Sequence, residues 1–136
     1  MRIADPLIKS VGFVSRFDPG QIDGSAPLLF GGTAFIVEVK VTPDWGLAHL
    51  VTAKHVADAI APPEAVITMN AKDGAPRFLR TGHQQWFFHP TEPDSVDVAV
   101  IPFGTVNFTE YDITWIPEDM FATDARIVDY DIRVRG

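Results

Sequence analysis

The sequence predicts an all-β protein, a small antiparallel six-stranded barrel built as a single domain over residues 1–136. Three observations lead there. Val, Ile, Phe and Thr gather in short runs. Gly, Pro, Asp and Asn punctuate those runs. Apolar residues mostly alternate with polar ones instead of recurring at helical spacing.

The runs place strands at residues 10–16, 28–41, 48–52, 65–70, 84–89 and 96–103, with turns at Asp18-Pro19-Gly20 and Asp73-Gly74-Ala75-Pro76. In the second run Phe35, Val37, Val39 and Val41 share one face while Glu38 and Lys40 share the other, so the first set is expected to be buried and the second wet. His55 to Ile60 gives the one helical hint. Val56, Ala57, Ala59 and Ile60 are compact and apolar until Pro62-Pro63 forbids continuation, which allows a single turn. No internal repeat, low-complexity tract or linker divides the chain. Near the far end Val128, Tyr130, Ile132 and Val134 alternate with Asp129, Asp131, Arg133 and Arg135. A strand over residues 126–136 either closes the barrel or opens a second one lying outside this chain.

Composition narrows the functional classes. A net charge of −7, with the basic residues scattered among acids, excludes nucleic acid as an expected partner, because binding a phosphate backbone needs clustered Lys and Arg. With no cysteine there is no disulfide, thiolate metal site or thiol nucleophile. The first residues lack the apolar core of a signal peptide, and no apolar run approaches the ~20 residues of a membrane span, so the default expectation is a cytoplasmic protein with no membrane partner.

The residues with chemistry lie in three segments: Gly32-Thr33-Ala34-Phe35-Ile36-Val37, then Leu50-Val51-Thr52-Ala53-Lys54-His55-Val56, then Asp94-Ser95-Val96-Asp97-Val98-Ala99-Val100-Ile101. In this order they resemble the trypsin-like (chymotrypsin-fold) serine peptidase superfamily. In that family a G-T-[AG]-F-[IV]-V strand leads by a hairpin to an L-T-A-x-H-[VC] strand end, and an acid later opens a D-[IV]-A-[VLI] strand. Trp86-Phe87-Phe88-His89-Pro90 is similar to the family's approach to that acid, and the likeness spans residues 28–103. Each motif alone is weak. Their order, with His55 preceding Asp97 by 42 residues, is what makes them specific.

The resemblance implies the N-terminal half of a double barrel that supplies two members of a catalytic triad. His55 would be the general base and Asp97 the carboxylate that orients it, with Asp94 as the competitor for that second role. Imidazole suits the first task because its unperturbed pKa of about 6.5 lets it take and return a proton near neutrality. Lys54 stands where the family most often has a small residue. The third member is missing. The family's serine sits in a G-x-S-G loop of the second barrel, and among Ser10, Ser15, Ser25 and Ser95 none has that context, Ser25 coming nearest in Gly24-Ser25-Ala26. The expected function is therefore the first part of a serine endopeptidase, inactive alone. Its partner would be a peptide or protein substrate, or a second barrel in trans. The alternative is a non-catalytic protease-like β-domain that binds a peptide or protein through an exposed strand edge.

No cofactor and no metal is expected. His49, His55, His83 and His89 follow no ligand spacing such as H-E-x-x-H. Trp45, Trp86 and Trp115, with the phenylalanines, read as core. Gly31-Gly32 reads as a strand kink, since no helix follows to make a phosphate-binding loop.

Overall fold

The computed structural model describes residues 8–16, 29–60, 65–81, 85–102, 110–121 and 123. Within them the chain is mostly antiparallel β-sheet with one small helix. In order the elements are β1 (Val11–Arg16), β2 (Leu29–Thr42), β3 (Trp45–Thr52), α1 (Lys54–Ala59), β4 (Ala65–Asn70), β5 (Pro76–Arg80), β6 (Phe87–Phe88), β7 (Ala99–Pro102), β8 (Ile116–Pro117) and a 3-10 turn at Glu118–Met120. The strands join in the order β5-β4-β1-β2-β3-β7-β6, and β8 adds to β2 in parallel.

This corrects the six-stranded closed barrel. There are eight strands among the described residues, and β5 and β6 are the two ends of the path, with no pairing between them to close it. Two strands escaped the sequence pattern. Pro76 reads as part of a turn, yet it opens β5, an edge strand where its missing N–H costs no interior ladder bond. The two-residue β8 is too short to show a period. The run at 84–89 contributes only β6, and that at 96–103 only β7. The expected turn at Asp18-Pro19-Gly20, the Pro62-Pro63 stop and the strand at 126–136 lie outside the described residues. No helix among the described residues is long and apolar enough to cross a membrane.

One side of the sheet makes the core: Val14, Ala34, Ile36, Ala48, Leu50, Ile67, Met69 and Ile101 meet Ile60 from the end of α1. Residues 110–117 run across one end of it. Lys72 N–H donates to the Glu110 carbonyl, Asp112 N–H to Asn70 and Thr114 N–H to Lys9, before Ile116 pairs with Val37. Tyr111 and Ile113 pack against the core from this crossing segment.

The face assignment of β2 is the second correction. Ala34 and Ile36 point into the core, while Phe35 and Val41 are exposed and only Val37 of the expected inward set is fully buried. Both faces of this strand are apolar around residues 34–37, so alternation alone cannot say which one turns inward. The aromatic residues follow suit. Trp86 packs on the core, but Trp45 and Phe13, Phe35, Phe78, Phe87 and Phe88 are exposed, which overturns their reading as core.

Candidate functional site

The hairpin of β2 and β3, turning at Pro43 and Asp44, delivers Thr52 and Ala53 to the start of α1. Buried Thr52 donates its hydroxyl to the Thr33 carbonyl at 2.7 Å, which fixes the end of β3 against β2. Val56 N–H and Ala57 N–H both bond to the Ala53 carbonyl, so the chain turns helical immediately and presents His55 in the first turn. The helix runs through Ala59, slightly more than the single turn expected.

Asp97 arrives from the other side. Val96 N–H bonds to the Glu92 carbonyl, and Val98 N–H bonds to the Val96 carbonyl in a three-residue turn centred on Asp97. β7 then pairs with β3, Ala99 beside Thr52. Two neighbouring strands thus set the Asp97 carboxylate and the His55 imidazole side by side.

His55 Nδ1 lies 2.6 Å from Asp97 Oδ2, and the His55 backbone N–H donates to Asp97 Oδ1 at 2.9 Å. One carboxylate therefore holds both the ring and the backbone of the same residue. That backbone donation is the main reason the Asp97 carboxyl titrates below its ordinary 3.8, with the ring contact second and partial burial opposing both. An ionised carboxylate only accepts, so Nδ1 carries the proton and the neutral ring keeps its lone pair on Nε2. Among the described residues no hydrogen bond or ion pair is made at Nε2, and the His55 side chain is 73% exposed. Chemically the pair is an oriented imidazole base lacking a proton donor. Asp94 makes no contact with the ring, so the carboxylate in place is that of Asp97.

The sign of the Asp97 shift sets an acid limit. A carboxylate whose folded value is depressed adds stability that is present above the ordinary carboxylate range and lost as pH falls through the folded value. The Asp97 carboxyl 13C resonance should accordingly titrate with a midpoint below 3.8, while a midpoint at or above it would mean the bonds to His55 are not made in solution.

Around the pair lies an open cleft of about 530 Å³, walled by Gly31, Gly32, Phe35, Val51, Val56 and Val98 among others. No described serine lines it: Ser10 and Ser15 are buried in and beside β1, and Ser95 is exposed in the turn before Asp97. Ser25 and His83 lie outside the described residues. His49 Nδ1 faces the Leu47 carbonyl at 3.1 Å, and His89 Nδ1 accepts the Glu92 N–H at 3.0 Å, so each is engaged in its own turn or strand. Among the described residues no group of three or more His, Asp or Glu could hold a metal.

Two supports were not visible as function in the sequence. Lys54 lies over the Phe88 ring, its Nζ 5.3 Å from the centroid, and pairs with Asp58 at 3.4 Å. It ties the helix bearing His55 to the strand that pairs with β7. Gly31 and Gly32 are the second support. The register between β1 and β2 slips between Val14, opposite Gly32, and Ser15, opposite Phe30, leaving Gly31 as the extra residue of a bulge. Here α1 packs so closely that a Cβ on Gly32 would meet Val56 at 2.8 Å, and one on Gly31 would come within 2.5 Å of Ile60 and 2.8 Å of the Val14 carbonyl oxygen. Backbone cannot step aside as a side chain can. Gly31→Ala should cost about 1–3 kcal/mol by urea unfolding. A midpoint equal to that of the parent would show that the close approach is not needed.

Comparison of the chain with protein-family models, with curated proteins and with solved structures found no match.

Proposed function

We propose that this chain is the base-and-acid half of a trypsin-like serine endopeptidase, its sheet left open at β5 and β6, with the nucleophile supplied by a second half. The observation that carries this reading is the two-point grip of Asp97 on His55, 2.6 Å to the ring and 2.9 Å to the backbone, with both residues lining an open cleft. An isolated histidine on a short helix has no use for a carboxylate on Nδ1. A base that must take a hydroxyl proton on Nε2 does, because the carboxylate selects the tautomer and stabilises the imidazolium that forms.

In the completed site a serine hydroxyl placed near Nε2 gives its proton to His55 as its oxygen attacks the peptide carbonyl. The proton then passes from Nε2 to the departing amine. Asp97 stays ionised throughout. The same transfers in reverse order of partners release the acyl group to water.

The test compares the 136 residues alone with the same residues followed by a serine-bearing segment. The 136-residue chain alone should not hydrolyse casein, whereas a product carrying a G-x-S-G segment beyond Gly136 should do so and lose the activity on His55→Ala. Hydrolysis that survives His55→Ala, or His55-dependent hydrolysis by the 136 residues alone, would overturn the proposal. The open edges at β5 and β6 favour one other reading, a non-catalytic β-domain that takes up a peptide strand. A gene product without any following serine segment supports that reading instead.

A further inference from the structure

Residues 89–98 join β6 to β7, and the pairing of Phe88 with Ala99 closes the loop they form. Asp97 lies in this loop, just short of β7. Its carboxylate meets His55 only while the loop holds its shape, because each free rotation there is a way for it to leave. Backbone bonds supply part of the bracing. Val96 N–H and Ser95 N–H donate to the Glu92 carbonyl at 3.0 and 3.3 Å, and Val98 N–H donates to the Val96 carbonyl at 3.0 Å. These bonds hold Asp97 relative to Glu92. Glu92 is held in turn by a side chain, its N–H donating to His89 Nδ1 at 3.0 Å.

A second histidine therefore begins a chain of contacts that ends on the dyad. His89 Nδ1 holds Glu92, Glu92 holds Val96, Val96 carries the turn at Asp97, and Asp97 reaches His55 at 2.6 and 2.9 Å. His89 is half-buried and follows Phe88, whose ring lies 5.3 Å from the Lys54 ammonium. Adjacent residues thus hold both partners, Phe88 the helix of His55 through Lys54 and His89 the loop of Asp97. An accepting Nδ1 must be bare. The neutral His89 ring accordingly carries its proton on Nε2, whereas that of His55 carries it on Nδ1.

We infer that His89 is a positioning residue for Asp97, its Nδ1 bracing the loop from which the carboxylate reaches His55. Its bearing on hydrolysis rests on the reading of the dyad given above. His89 is not part of the cleft wall, so it acts on the site through the loop alone. No residue from 89 to 98 belongs to the core cluster, which separates this role from that of a general prop. A brace for the carboxylate changes the dyad and leaves the stability of the sheet where it was.

His89→Ala and His89→Asn test it in the isolated chain with the histidine rings neutral. Alanine removes the acceptor. Asparagine restores it, since its Oδ1 stands as many bonds from the backbone as Nδ1 does. By NMR the His55 Nδ1 proton should exchange about tenfold faster in His89→Ala than in the parent, and within about twofold of the parent in His89→Asn, with one urea midpoint for all three. An alanine variant that matches the parent, or two variants that loosen the proton alike, overturns the inference. A urea midpoint that falls with His89→Ala in step with the exchange rate makes His89 a prop of the whole sheet and overturns it too. So does a parent whose neutral His89 carries Nδ1–H by 15N NMR, a result that needs no variant. None of these readouts depends on turnover. A serine-completed chain that fails to hydrolyse casein would overturn the protease reading and leave the positioning of Asp97 by His89 in place.

Discussion

Asp97→Asn should leave the sheet intact and reverse the tautomer of His55. The amide oxygen of the replacement can still accept the His55 backbone N–H that now reaches Asp97 Oδ1 at 2.9 Å, so the helix start keeps its anchor. The amide nitrogen then faces Nδ1 at the position of Oδ2, 2.6 Å away, and two donors cannot share that space. The ring answers by moving its proton to Nε2, which removes the lone pair that the proposed base would use. In the isolated chain, 15N NMR of the neutral ring should show Nδ1–H in the parent and Nε2–H in the variant. In a serine-completed enzyme kcat should fall about 10⁴-fold. An unchanged tautomer would show that the carboxylate does not orient the ring, and an unchanged kcat with a changed tautomer would show that the ring is not the base.

Why the dyad could be read from sequence while the sheet's outer face could not is a matter of local against distributed information. His55 and Asp97 each stand at a strand end, and the strand leading to His55 and the one following Asp97 are short runs whose direction is set by neighbouring residues: Leu50-Val51-Thr52 before the first, Ala99-Val100-Ile101 after the second. Alternation along Phe35 to Val41 is equally plain, but period two names two faces without naming the inner one. Ala34 and Ile36 win the core because Leu50 and Ile101 meet Ile36 across β3 and β7, a fact spread over sixty-odd positions. The same holds for β8, whose two residues are a strand only because β1 stops short and leaves Val37 and Glu38 an open edge. Pro76 and Gly74 spell a turn, and the turn is real, with Gly74 at φ 84, yet the strand beyond it lacks alternation and was hidden by it. The closed barrel failed for a related reason: closure depends on how β5 and β6 meet, and neither strand is long or patterned enough for sequence to fix that.

Leu50→Ala should be the most destabilising of the single changes considered. Leu50 is fully buried in β3, flanked by Ile36 on β2 and Ile101 on β7, so truncation removes contacts on both sides and leaves a space that two hydrogen-bonded neighbours prevent from closing. The expected loss is about 2–5 kcal/mol by urea unfolding, a large share of the roughly 5–15 kcal/mol available to a domain of this size. The consequence for the site is specific, since β3 ends at the helix carrying His55 and β7 begins just after Asp97. Leu50 packs at the seam between those two strands, so the His55 to Asp97 hydrogen bond should weaken before the whole sheet unfolds, visible as faster exchange of the Nδ1 proton in low urea. Val39→Ala, on β2 and outside the cleft wall, removes less buried surface and should leave that exchange rate near the parent's. If the two variants loosened the proton equally, the core under the dyad would not be what holds it.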